Sequence, residues 1–271
     1  MGLTKFPGSI GFLKQRMSSS ASGAGISPLI WADCPILGIM ADPGLGVLAK
    51  DDFTVVQTTG FPYEISGTNG TFTAVAGSPG VGLISTTALD NNECHIAYNR
   101  DVAGVITCNA TKKWWFEAKI ALNQIADTFG AFVGLLQQGA SQDALMGDDD
   151  MILTAGIDKI GFQIVEAVAN AAPYWRTMMD LAARAAISET AALASINWVK
   201  LGMKSEPNAD ATVATVKFFV DGVELADTTT TAATNFPLNV CLIPHFGVKS
   251  GAAAGVDVTM SISWWMAAQL A

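Results

Sequence analysis

Residues 112–122 read KKWWFEAKIAL, and the two adjacent tryptophans decide how the chain has to be built. Alternation along an extended strand puts Trp114, Phe116, Ala118, Ile120 and Leu122 on one face. Trp115, Glu117, Lys119 and Ala121 take the other. The first set is a core face. The second carries a tryptophan beside charged residues, so Trp115 needs an explanation of its own: a core position, a sugar-binding platform, or a surface on which another protein sits.

The closing strand poses the same question. Val256, Val258, Met260, Ile262 and Trp264 form an apolar face, while Asp257, Thr259, Ser261, Ser263 and Trp265 form a polar one with a single ring. Phe219 likewise faces away from Phe218 and Val220. Alternation therefore turns Trp115, Phe219 and Trp265 outward, and Trp31 of the early PLIW stretch joins them as a candidate interface ring. Either these rings meet another chain, or an N-terminal arm covers them within one chain.

Between and around these strands the pattern is β. Short runs rich in Val, Ile, Thr and Phe alternate with turn signals such as GTNGTF, GSPGVG and VDGVEL. Strands are expected over 53–58, 72–76, 81–86, 93–99, 113–122, 130–137, 158–166, 173–179, 196–204, 213–220, 238–246 and 255–265. That spacing describes an antiparallel sandwich. By propensity the Ala-rich stretch 180–194 favours a short helix, whereas the sandwich context favours strands and loops there. Residues 1–50 differ: RMSSSASGAG has linker composition, and the apolar patches PLIW and PILGIM lack a sustained period. They read as an extended arm ahead of a β-sandwich domain at 51–271. It either tucks onto its own domain or docks on a neighbouring subunit.

Composition narrows the function. Half of the 271 residues are hydrophobic and 14% are charged, which suits a chain that buries much of its surface. A net charge of −9 argues against nucleic acid and against an anionic membrane. The stretch 27–49 is apolar but carries Asp33, Asp42 and three prolines, so it is no membrane helix. No secretory leader is legible, and synthesis in the cytoplasm is expected. Cys34, Cys94, Cys108 and Cys241 lack C-x-x-C spacing and are expected as buried free thiols. Asp148, Asp149 and Asp150 have the oxygen chemistry for calcium, but such a triplet more often forms a solvated loop. Asp90, Asn91, Asn92 and Glu93 suit a hydrogen-bonded turn. No metal or cofactor site is expected, and His95 and His245 read as packed or surface histidines.

An ordered set of phrases carries a resemblance. STTALDNNECHIAY (85–98), KWWFEAKIAL (113–122), FVGLLQQ (132–138) and DKIGFQI (158–164) are followed by NWVKLGMK (197–204) and VKFFVDGVELA (216–226). FPLNVCLIPHFGVK (236–249) and VTMSISWWMAAQ (258–269) complete it. Together they resemble the concanavalin A-like (laminin G-like) jelly roll of structural proteins in tailed-bacteriophage particles, over roughly residues 50–269. The resemblance implies an all-β jelly-roll sandwich and a capsid decoration (cement) protein. Its partners would be the major capsid protein and its own copies, in a trimer, on the virion surface. Glycosidases of this fold use an E-x-D-x-E or E-x-D-x-x-E strand. Here Ala118, Lys119, Ile120 and Ala121 follow Glu117, so no catalytic residues are expected. The alternative is a lectin-like carbohydrate-binding module on a phage fibre or head, with outward aromatic rings stacking on glycan.

Overall fold

Among the described residues, seventeen strands, every pairing antiparallel, build two sheets in the computed structural model. It describes residues 25–54, 62–75, 80–98, 105–124, 129–139, 145–147, 156–164, 174–180, 185–186, 192–193, 197–233, 236–251 and 257–271. The back sheet runs, edge to edge, β15 (Val223–Thr230), β14 (Ala214–Val220), β13 (Val199–Pro207), β7 (Trp114–Leu122), β17 (Thr259–Leu270), β4 (Val81–Ser85) and β3 (Thr71–Val75). β1 (Gly46–Asp51) also pairs with β17. The front sheet runs β11 (Ala185–Ala186), β10 (Tyr174–Asp180), β9 (Lys159–Ile164), β8 (Phe129–Gln137), β16 (Cys241–Ser250), β5 (Glu93–Tyr98) and β2 (Tyr63–Ser66). β12 (Ala192–Leu193) pairs with β10, and β6 (Ile106–Thr107) with β16. The chain is an all-β sandwich.

The core lies between the sheets. Trp114, Phe116, Ile120, Leu201, Phe218 and Met260 from the back meet Ile96, Val133, Leu135, Phe162, Phe246 and Val248 from the front. At the β14–β15 turn Asp221 and Gly222 both take positive φ, 51° and 75°, as a tight two-residue hairpin requires. β7 is buried along its whole length on both faces. Its outward residues are therefore roofed as well.

Over Trp115 and Glu117 the roof is the chain's own residues 25–45. After Gly25–Ser27 come helix α1 (Pro28–Trp31), helix α2 (Ile36–Ala41) and a 3-10 turn (Pro43–Leu45), which leads into β1. Prolines at the first helical position of α1 and just before α2 keep both helices short. Ile30, Trp31 and Ile39 pack with Trp115, Phe219, Met266 and Ala268 in a second apolar cluster outside the sandwich. The expected arm is thus folded onto its own back sheet over residues 25–45, and the expected boundary at residue 50 cuts through β1, a paired strand. Residues 1–24 lie outside the described residues.

Two further expectations are corrected. Within 180–194, Asp180 ends β10, and 185–186 and 192–193 are strands paired to β10 rather than helix. The rest of that stretch lies outside the described residues. On β17, alternation fails at one residue. Ile262 pairs with Ile120, yet Trp264 pairs with Lys119 and Trp265 with Ala118, so Ser263 is the extra residue of a bulge. Every side chain beyond it changes face. Trp265 enters the core, donating from Nε1 to Tyr63 Oη at 2.6 Å and meeting Tyr98 edge-on at 4.8 Å. Met266 and Ala268 take the outer face.

This phase change is testable by truncation. Trp265→Ala should destabilise the fold by about 3–5 kcal/mol in urea unfolding, as for a buried aromatic. Trp264→Ala, at a half-buried position, should cost less than about 1.5 kcal/mol. The opposite ranking would place the bulge elsewhere.

Candidate functional site

The outer face of the back sheet forms a cradle around one carboxylate. Glu117 projects from β7 away from the core and is fully buried. Its Oε2 accepts from the Ser27 backbone N–H at 2.9 Å and from Trp31 Nε1 at 2.8 Å, and its Oε1 bonds the Ser27 hydroxyl. Ser27 stands at the N-cap of α1, but its side chain makes no cap and serves Glu117 instead. Next to it on β13, the buried Lys200 donates from Nζ to the Gly25 carbonyl at 2.7 Å. Trp31 stacks on Trp115 with centroids 6.5 Å apart and planes at 24°. Trp115 Nε1 donates to Asp33 Oδ1 at 3.0 Å, and Lys113 pairs with the same carboxylate at 3.0 Å. Gly202 on β13 leaves the hollow that Ile30 occupies, since a Cβ there would collide with Ile30 Cδ1.

Burial pushes the Glu117 carboxyl above its usual range, opposed by the hydrogen bonds from Ser27 and by Lys200. Burial also lowers Lys200, opposed by Glu117. Both groups lie away from water, so the cradle depends on its hydrogen bonds, from Ser27 and Trp31 to Glu117 and from Lys200 to the Gly25 carbonyl, and not on an exposed ion pair. Asp33 goes the other way: burial raises it, but the bonds from Lys113 and Trp115 hold it below the usual carboxylate range.

The front sheet's outer face carries a second buried polar chain. His95 Nδ1 lies 3.1 Å from His245 Nε2, and His95 Nε2 lies 3.4 Å from Glu93 Oε2. Lys249 Nζ is 3.7 Å from that Glu93 oxygen and donates to the Met146 carbonyl at 2.7 Å. His95 can reach His245 because Gly247, its cross-strand partner, has no side chain where the imidazole lies. Phe132 leans over Gly134 and Gly161 in the same way. Leu145 and Met146 close this face against Phe132, Leu136 and Met178. Burial, then the neighbouring His95, holds His245 well below the ordinary histidine value, so it is neutral at physiological pH. The four side chains are at most 2% exposed, which denies them a substrate in this state.

Of the four candidate rings, the structure brings Trp31, Trp115 and Phe219 into one cluster and sends Trp265 to the core. None of the four is open to solvent: residues 25–45, Trp31 among them, cover Trp115 and Phe219 within one chain, which is the second of the two alternatives, and the β17 bulge turns Trp265 into the core. Asp148–Asp150 lie outside the described residues. Asn91 and Asn92 do form a turn, held by Ser250, whereas Glu93 belongs to buried β5. All four cysteines are free. Cys94 and Cys108 are buried as expected, but Cys34 is half-buried and Cys241 exposed. No group of metal-binding side chains occurs among the described residues.

No protein-family model and no curated protein matches the sequence. Solved structures do. A Shewanella oneidensis MR-1 protein of unknown function, SO2946, superposes with a TM-score of 0.54 at 15% identity, over 100% of this chain and 96% of that one. Peanut lectin, solved with a nine-residue peptide, gives 0.54 at 13% identity, over 83% and 98%. The fold is concanavalin A-like. A Lotus tetragonolobus seed lectin (0.51, 11% identity, 82% and 99% covered) is similar in the same way. At these identities the likeness concerns architecture alone.

Two outcomes follow from the concanavalin A-like sandwich and its two covered faces. Glu117→Ala leaves buried donors on Ser27 and Trp31 without an acceptor, and should cost about 2–4 kcal/mol in urea unfolding. Glu117→Gln, which can still accept from Ser27 N–H and Trp31 and donate to the Ser27 hydroxyl, should cost less than about 1 kcal/mol. For His245, the folded value lies below the unfolded value of 6.5, so its contribution is present above pH 6.5 and is lost as the pH falls through the depressed value. Unfolding free energy should therefore decline from pH 7 into the acid range, and His245→Gln should flatten that decline.

Proposed function

We propose that this chain is a non-enzymatic structural protein of a tailed-bacteriophage particle, a decoration (cement) protein on the capsid surface. The observation that carries the reading is the outward side of the roof. Leu29, Leu37, Met40 and Leu45 are 46–63% exposed there, and residues 34–41 between Asp33 and Asp42 carry no charge. An exposed apolar surface mounted on a pinned segment suits contact with another protein better than contact with water. The partner on this reading is the major capsid protein, with trimeric self-association on the shell. Many weak contacts multiplied by symmetry would then reinforce it.

Glycan binding is the second reading, favoured by the lectins and carbohydrate recognition domains among the fold neighbours. Against it, no tryptophan, tyrosine or phenylalanine whose burial is described is exposed for stacking on a sugar. The test is gradient purification of intact particles with quantification of this chain. Incorporation at a copy number matching capsid symmetry, lost in a Leu37→Glu/Met40→Glu variant that keeps its β-sheet spectrum, is the expected result. A chain absent from particles that binds a glycan array would transfer the function to the lectin reading.

A further inference from the structure

We propose that the cradle on the back sheet is a peptide-recognition site, and that its ligand in trans is residues 25–33 of a second copy of this chain. The inference does not depend on the particle role. Residues 25–33 belong to no sheet, and the chain touches the cradle as a bound peptide would, through side chains and isolated backbone groups. Gly25 gives its carbonyl to Lys200, and Ser27 gives its N–H and hydroxyl to Glu117. Ile30 fills the hollow above Gly202, Trp31 stacks on Trp115 and bonds Glu117, and Asp33 takes the Trp115 indole N–H. Spaced along nine residues, these form a readable pattern: Ser, then Ile-Trp at three and four residues on, then Asp at six.

The acceptor side is built in advance. Glu117, Lys200, Trp115 and Gly202 sit on the adjacent central strands β7 and β13, which are rigidly paired from Val199 to Ser205. An empty cradle is costly, because it would present a carboxylate among aromatic rings and open two large apolar side chains, Trp115 and Phe219, to water. The favoured alternative to self-occupancy is therefore occupancy by an identical segment, which restores every contact. The link to β1 permits this exchange. Asp42-Pro43-Gly44-Leu45 holds its turn by local bonds, Asp42 Oδ1 accepting from Gly44 N at 2.8 Å and Asp42 O from Leu45 N at 3.0 Å. Opening that turn gives up the bond from Ala271 N–H to the Leu45 carbonyl at 3.0 Å but leaves the β1–β17 pairing from Gly46 onward in place, and swaps the segment between neighbours.

The test uses the full chain with its own segment weakened by Ser27→Ala and Trp31→Ala, titrated with a fluorescent synthetic peptide of residues 25–33. Saturable binding is expected, at least about tenfold weaker when Glu117→Ala is added and little changed by Glu117→Gln. The wild-type chain, whose tethered segment competes, should bind the same peptide at least about tenfold more weakly. Mixing the weakened chain with a Glu117→Ala chain should yield a mixed dimer by sedimentation, since the two restore one intact segment in one intact cradle. No saturable binding to either the weakened or the wild-type chain, or equal binding with and without Glu117→Ala, overturns the site. Peptide binding without a mixed dimer overturns the second copy as its ligand.

Discussion

A carboxylate on the outward face of a strand buried on both sides governs how this chain closes. Glu117 cannot sit unmatched among Trp115, Phe219 and Met266, because removing its charge from water costs more than those neighbours return. Ser27 and Trp31 supply the donors, and they bring with them the segment that covers the rings. Two tryptophans side by side bury on the order of 400 Å². The polar anchor decides where that area is buried, and the apolar area makes the anchor worth keeping.

The front sheet uses a related device. Lys249 and Lys159 each end on a backbone carbonyl, of Met146 and Ile157, as Lys200 ends on Gly25. A buried ammonium that finds a carbonyl fixes the position of an irregular segment without needing a regular element there. Sheets covered on both sides have few positions left for charge. The 14% charged and 50% hydrophobic composition is a consequence of that layering.

Local alternation was enough to split Trp114 from Trp115 and Phe218 from Phe219, because β7 and β14 each keep an unbroken register with β13. It failed on β17, where the bulge at Ser263 carries no glycine or proline to mark it, and one extra residue reversed Trp265 and everything after it. β1 was missed because its six residues follow a Pro-Gly turn inside an apolar stretch without period. β15 was hidden by its run of threonines. The capping role of residues 25–45 was one of two open alternatives, since composition records that a segment is apolar but not whose surface it covers. The His95–His245 contact joins positions 150 residues apart, and neither histidine signals it locally. Gly247, placed where an extended strand would otherwise carry a side chain, is the nearest thing to a clue.

The roof's place in the chain has a consequence for biosynthesis. Residues 25–45 emerge from the ribosome well before any surface they fit. Trp115 and Glu117 follow some eighty residues later, Phe219 nearly two hundred later, and Met266 and Ala268 last of all. This apolar segment must therefore wait for its complete surface until the final strand has been made and paired. Nascent chains halted before β17 would be adhesive in a way that the finished molecule is not, and chaperone demand should fall on that interval.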